Sequence, residues 1–155
     1  MKPLRIETTR DIESGRAGNP AADARLARRV LIVEDNYFVA HQCESALVEA
    51  GYVVVDIVET AEQAVQAAMD RRPELVLMDI YLPGKRDGVD AAVEIFQRFG
   101  IRSIFASALA DAAVKARAES AQPLAWLAKP FNDRKLVATV ESALDEVNAL
   151  PQTQP

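Results

Sequence analysis

The chain has 155 residues, 50% hydrophobic and 26% charged, which suits one globular domain with a sizeable core. Its single cysteine excludes an internal disulfide framework and a multi-cysteine zinc site, and no secretory h-region or membrane-length apolar run is present, so a cytoplasmic protein is expected. The net charge of -5 is uneven: residues 1–29 net +3 and the remainder -8, and an acidic body argues against direct nucleic-acid binding.

Residues 1–28 lack sustained periodicity and carry Gly15, Gly18 and Pro20, so they read as a mostly disordered leader. Val30 to Val33 is a short apolar run, expected to be a buried strand. Residues 36–50 place Val39, Cys43, Ala46, Leu47 and Ala50 at helical spacing, and Gly51 stops that helix. Tyr37 and Phe38 at its start read as packing residues, Cys43 as a packed hydrophobe, and His41 as a surface or packing residue. The run 53-VVVDIV is β-branched and predicts a second strand. Thr60 with Gln63 spells a capping box for a helix over 60–71, ended by Pro73. Leu75 to Asp79 is the third strand, and Val89, Val93 and Phe96 mark the next helix. The run 101-IRSIFAS is a fourth strand, followed by an Ala-rich helical segment over 109–120 with few large apolar residues. Residues 124-LAWL give a fifth strand, and Leu136, Val140, Ala143, Leu144 and Val147 a last helix before a loose tail, 148–155.

Five βα units whose strands are continuous apolar runs predict parallel strands buried on both faces. Right-handed crossovers then give a doubly wound α/β fold; in the flavodoxin-like (βα)5 order, 2-1-3-4-5, strands one and three would be neighbours. Ligands of such sheets bind at the carboxyl ends of the strands.

Those ends carry the chemistry. The first strand ends in Glu34-Asp35, the third in Asp79 and the fourth in Ser107, and Lys129 follows the fifth. Neighbouring strands one and three bring three carboxylates into one crevice, where they repel unless a cation intervenes. Oxygen-only ligands suit Mg²⁺, and the absence of His or Cys at these ends argues against zinc. A lysine and a hydroxyl beside the carboxylates suit phosphoryl transfer onto one of them. Individually each residue has a plainer use: Asp35-Asn36 or Ser107 as helix caps, Asp79 in a turn, Lys129 on the surface.

The set 30-VLIVEDN, 76-VLMDIYLPG, 104-IFASA and 127-LAKPF resembles, in order, the motifs of two-component response-regulator receiver domains. The resemblance spans about residues 29–147. It implies that Asp79 is the phosphoacceptor, loaded from a phosphohistidine on a sensor histidine kinase or phosphotransfer protein. It further implies Mg²⁺ bound by Asp35, Asp79 and the backbone carbonyl of Tyr81, with Glu34 acting through a water. Ser107 and Lys129 would bind phosphoryl oxygens, and the Lys129-Pro130 bond would be cis. Ala108 would leave the site accessible, while Tyr81 and Leu109 would slow hydrolysis of the phosphoryl group. Ser107 and Trp126 would be the switch pair, an output partner would dock on the face made by residues 109–147, and the protein would be a monomer or a phosphorylation-dependent dimer. The implied protein is not an enzyme in the ordinary sense, since it accepts a phosphoryl group and slowly loses it.

Two features depart from the common pattern. Pro83 to Gly88 is five residues where four are usual, and 104-IFASAL resembles a Phe-Ala-Thr subgroup of stand-alone regulators. Asp87 reads as a loop or cap residue, Lys85 and Arg86 as solvated, and Asp56 as lying outside the crevice. The leading reading is a receiver without an output domain of its own. The alternatives are a receiver fragment of a hybrid kinase or larger regulator, and a phosphorylation-independent binding module. An Asp-nucleophile phosphatase is disfavoured because Tyr81 stands where a second Asp is usual.

Overall fold

The computed structural model describes residues 28–149. The readings of residues 1–27 as a leader and of 150–155 as a tail lie outside these residues. Five strands alternate with five helices: β1 (Arg29–Val33), α1 (Tyr37–Glu49), β2 (Val53–Val58), α2 (Ala61–Arg71), β3 (Leu75–Asp79), α3 (Gly88–Phe99), β4 (Arg102–Ser107), α4 (Ala112–Ala118), β5 (Ala125–Ala128) and α5 (Asp133–Ala149). A 3₁₀ turn, Glu119–Ala121, follows α4. The sheet is wholly parallel in the order 2-1-3-4-5, as the sequence predicts.

Strand residues alternate between two cores, as the two-residue period of a strand requires. Leu31, Val33, Val76, Met78 and Phe105 face α2 and α3. Val30, Ile32, Leu75, Leu77, Ile104 and Leu127 face α1 and α5. Both faces being covered, β3 is buried along its whole length. No helix among the described residues is long and apolar enough to cross a membrane.

The expected capping box is present: Thr60 accepts from the Gln63 amide, and Gln63 reaches back to the Thr60 amide. A second box opens α3, with Asp87 and Asp90 as reciprocal partners. Four expectations need correction. Tyr37 and Phe38 do not pack into the core: they are 66% and 82% exposed and lie against each other, with Tyr37 also against the His41 ring, because the buried face of α1 begins at Ala40 and continues through Cys43, Ala46 and Leu47. The helix expected over 109–120 starts only after Asp111, whose carboxylate accepts from the Val114 amide at 2.9 Å. Arg86 is not simply solvated, since it pairs with Glu94 across the first turns of α3. The last helix also runs to Ala149, two residues into the segment read as tail.

The long loop after β3 is pinned at both ends. The Ile80 carbonyl accepts from the amides of Leu82 (3.2 Å) and Gly88 (2.7 Å). A Cβ on Gly88 would lie 1.8 Å from the Asp79 carbonyl oxygen, so only glycine allows α3 to start this close to β3. Gly84, at φ +103°, supplies the left-handed turn within the loop.

The loop also holds α4. Of this helix only Ala118 is buried. Arg117 forks onto both Asp87 oxygens (2.9 and 3.1 Å) and reaches Asp90 at 3.2 Å. Burial would raise the Asp87 pKa, but its bonds to Arg117 and Asp90 outweigh that and hold it below the ordinary value.

Gly88→Ala should cost stability near or above the upper end of the roughly 1–3 kcal/mol typical of overpacking, read as a lower urea midpoint, because the obstacle is backbone. Arg117→Ala should cost about 0.5–1 kcal/mol and speed amide exchange in residues 112–118, with the difference from wild type shrinking at ~1 M salt. An unchanged exchange rate in that helix would mean that α4 is held by other contacts.

Candidate functional site

The carboxyl ends of β1 and β3 lie side by side, with Val33 paired to Met78. One residue further on, Glu34, Asp35 and Asp79 each present an oxygen, and these atoms lie within 4.8 Å of one another. Glu34 and Asp79 are buried and Asp35 is exposed. On the other side, Asp79 pairs with Ala106 and Ser107 with Ala128, and the Lys129 amide continues that ladder to the Ser107 carbonyl at 2.9 Å. The main chain of β5 thus sets Lys129 against the acids. The Lys129-Pro130 bond is cis, as the resemblance implies.

The ammonium of Lys129 lies 2.5 Å from Glu34 Oε2 and 3.4 Å from Asp79 Oδ2. Its first partner is therefore Glu34, which also accepts from the Asn36 amide at 3.1 Å through its other oxygen. Asp79 Oδ1 takes only a longer bond, 3.3 Å, from the Tyr81 amide. Burial first, and then the charge of Glu34, push the Asp79 carboxyl up to about 6, against the opposing pull of Lys129. Burial would lower the Lys129 pKa, but its bond to Glu34 and the two carboxylate charges outweigh this and raise it. The cluster carries more negative charge than one lysine offsets. An all-oxygen donor set with such an excess fits a divalent cation of the Mg²⁺ type.

Ser107 is 6% exposed, and its hydroxyl is engaged within its own loop: it donates to the Leu109 carbonyl (3.0 Å) and accepts from the Leu109 amide (3.2 Å). It does not cap α4; Asp111 does. Asn36 rather than Asp35 caps α1, accepting from the amides of Phe38 and Val39, which leaves the Asp35 carboxylate free of that task. Ala108 lines an open pocket with Val39, Gln42, Lys129, Pro130 and Phe131. Tyr81 and Leu109 are exposed and joined by a hydrogen bond from the tyrosine hydroxyl to the Leu109 carbonyl at 3.1 Å, a contact the sequence does not signal. Trp126 is half-buried, stacked on Phe105 at 4.8 Å, with the Lys115 ammonium 5.5 Å from its ring centre. His41 stands outside the acid cluster, against Glu44 and the Tyr37 ring. Cys43 is buried with its thiol pushed up to about 12, chiefly by desolvation, which disfavours the nucleophilic thiolate.

Residues 30–141 match the model of the response regulator receiver domain. The chain belongs to this family. The chain is 36% identical over 132 residues to the transcriptional regulatory protein PdtaR of Mycobacterium tuberculosis, covering 83% of this chain and 64% of that one. The chain thus spans just under two thirds of that relative's length. It is 32% identical over 121 residues to the chemotaxis protein CheY of Bacillus subtilis, covering 77% of this chain and all of CheY. The signal receiver domain of a modulated diguanylate cyclase from Desulfovibrio desulfuricans superposes with a TM-score of 0.72 at 33% identity, over 77% of this chain and 95% of that one. In this receiver domain the acidic cluster of Glu34, Asp35 and Asp79 is suited to phosphoaspartate and divalent-metal chemistry. Receiver domains undergo reversible phosphorylation, and membership implies partnership, in general terms, with histidine kinases or phosphotransfer proteins.

The raised pKa of Asp79 makes stability depend on pH. Its folded value lies above its unfolded value, so the folded state loses stability as pH rises from about 4 through 6 and bears the full penalty above that. Without divalent cations, Asp79→Asn should therefore stabilise the protein by about 1–3 kcal/mol at pH 8 and change little at pH 4, read from urea midpoints. Equal effects at both pH values would show that charge repulsion is not what Asp79 contributes.

Proposed function

We propose that this receiver domain, residues 29–147, accepts a phosphoryl group on Asp79 from a phosphohistidine of a sensor kinase or phosphotransfer protein, and signals through the change that follows. The observation that carries this reading is the buried carboxylate of Asp79 at the end of β3, with Glu34, Asp35 and Lys129 gathered around it and Ser107 ending the neighbouring strand. A carboxylate that β3 holds this rigidly needs little reorganisation before attack.

In the step itself, an Asp79 oxygen forms a bond to phosphorus while the phosphorus–nitrogen bond of the donor breaks. The electron pair leaves on the imidazole nitrogen, which regains a proton from solvent. Asp35 and Asp79, with the Tyr81 carbonyl and, through water, Glu34, would hold a Mg²⁺, which when bound offsets charge on the phosphoryl oxygens. Lys129 is close enough to Asp79 to turn from the carboxylates to a phosphoryl oxygen, and Ser107 supplies a hydroxyl donor. Ala108 beside them adds no bulk beyond a methyl group.

The signal would leave through α4, β5 and α5. Phosphorylation adds about -1.5 to -2 charges at pH 7. Ser107 turning toward the phosphoryl group would draw in the β4–α4 loop, and Trp126 would leave its stack on Phe105. The face made by residues 109–147 would then favour an output protein, or a second copy, over the resting arrangement.

Incubation with acetyl phosphate and Mg²⁺ should add one phosphoryl group by intact mass, and Asp79→Asn or removal of Mg²⁺ with EDTA should abolish the gain. Lys129→Ala should lower the rate by at least about 10-fold. Phosphorylation that persists in Asp79→Asn would move the acceptor elsewhere, and no gain from any phosphodonor would favour a phosphorylation-independent binding module.

A further inference from the structure

β2 is an outer strand of the sheet, so one side of its main chain has no partner strand among the described residues. It is also the strand best suited to take one. In Val53–Val58 every residue except Asp56 is β-branched, and none is glycine or proline. The opposite edge, β5, is only four residues long and is followed two residues later by Pro130, which has no amide to offer.

The ladder shows which groups of β2 face outward. The Val58 carbonyl accepts from the Glu34 amide at 3.0 Å, so Val58 turns its main chain to β1. Successive residues of a strand turn opposite ways, so the Ile57 amide and carbonyl point to the free side. That amide donates to the Asp56 carboxylate at 2.9 Å. Just before it, Val30 pairs with Val54 and Leu31 with Asp56, which makes Val55 the extra residue of a bulge and interrupts the repeat of the edge. The groove beside this stretch is open, with Asp56, Ile57 and Val58 on one wall and Gln66, Asp70 and Arg71 on the other.

An edge of this kind is complementary to itself. Two copies related by a two-fold axis would set β2 antiparallel to β2, with the Ile57 groups exchanging bonds across the axis, and would use up the one long free edge of each sheet. Asp56 opposes this twice over. Its carboxylate already holds the Ile57 amide, and two such carboxylates would stand beside the axis, where like charges repel. We propose that the free edge of β2 is a pairing surface for the β2 of a second copy, held closed by the carboxylate of Asp56. Asp56 lies outside the acid cluster, so this holds whether or not Asp79 accepts a phosphoryl group.

The test is sedimentation of the unphosphorylated protein over a range of concentrations, in wild type, Asp56→Ala and Asp56→Lys. Asp56→Ala frees the amide and removes the charge, and its mass should rise toward about twice that of wild type. The Ile57 amide should then exchange more slowly as concentration rises. Asp56→Lys loses the same native bond but puts a like charge back beside the axis, and should keep the wild-type mass. An Asp56→Ala protein of wild-type mass would overturn the inference. So would equal association of the Asp56→Lys protein, which would trace the effect to lost stability. Association that leaves Ile57 exchange unchanged would place the contact elsewhere on the surface and overturn it as well.

Discussion

One ammonium group shared between two buried carboxylates sets the terms for the rest of this receiver domain. Lys129 sits 2.5 Å from Glu34 and 3.4 Å from Asp79, with Asp35 completing the acid cluster. The lysine offsets one charge well and the second poorly. The balance is visible in the Asp79 carboxyl, which burial and Glu34 hold near 6 despite the lysine. A protein selected for stability alone would neutralise or remove that acid. Keeping it leaves a site whose most favourable completion is added positive charge, and an all-oxygen cluster receives a hard divalent cation more readily than any other.

The scaffold answers this local strain with rigidity nearby. β3 is buried throughout, which holds the backbone of Asp79 between β1 and β4. The main chain that follows is turned back by two amides on the Ile80 carbonyl, and α3 starts in contact with the Asp79 backbone because Gly88 has no side chain. The extra residue between Pro83 and Gly88 is absorbed here. The lengthened loop carries Gly84 in the left-handed region, Arg86 paired to Glu94, and Asp87 as both cap and ion-pair partner.

Much of this was legible in the sequence, for a physical reason. In a parallel sheet every strand delivers its carboxyl end to the same edge, so polar residues that end apolar runs must meet. Glu34, Asp35, Asp79, Ser107 and Lys129 could be gathered by that rule without knowing any distance. The rule fails where side chains meet across loops. Nothing in the spacing of Tyr81 and Leu109 announces that a phenol will bond a carbonyl 28 residues away. The same is true of Arg117, which finds Asp87 from 30 residues further along the chain. Tyr37 and Phe38 misled for a different reason. Helical spacing identifies a buried face only after several turns, and at the first turn an aromatic can fall on either side.

The contrast between the two ends of the sheet bears on what can move. α1 and α5 share a core of large aliphatic residues with Leu31's neighbours Val30 and Ile32, and such contacts do not respond to a nearby charge. α4 buries Ala118, the turn after it Ala121, and Val114 lies only half-buried. Its strongest specific attachments are charged: Arg117 to the acids that open α3, and Lys115 over the Trp126 ring. Those acids adjoin Gly88, which abuts the backbone of Asp79. Under the proposed function, a change of charge at Asp79 would reach α4 through these charged groups rather than through the aliphatic core on the other face. The helix that the core holds least is attached by charged contacts to the start of α3, and it is there that the proposed switch would act.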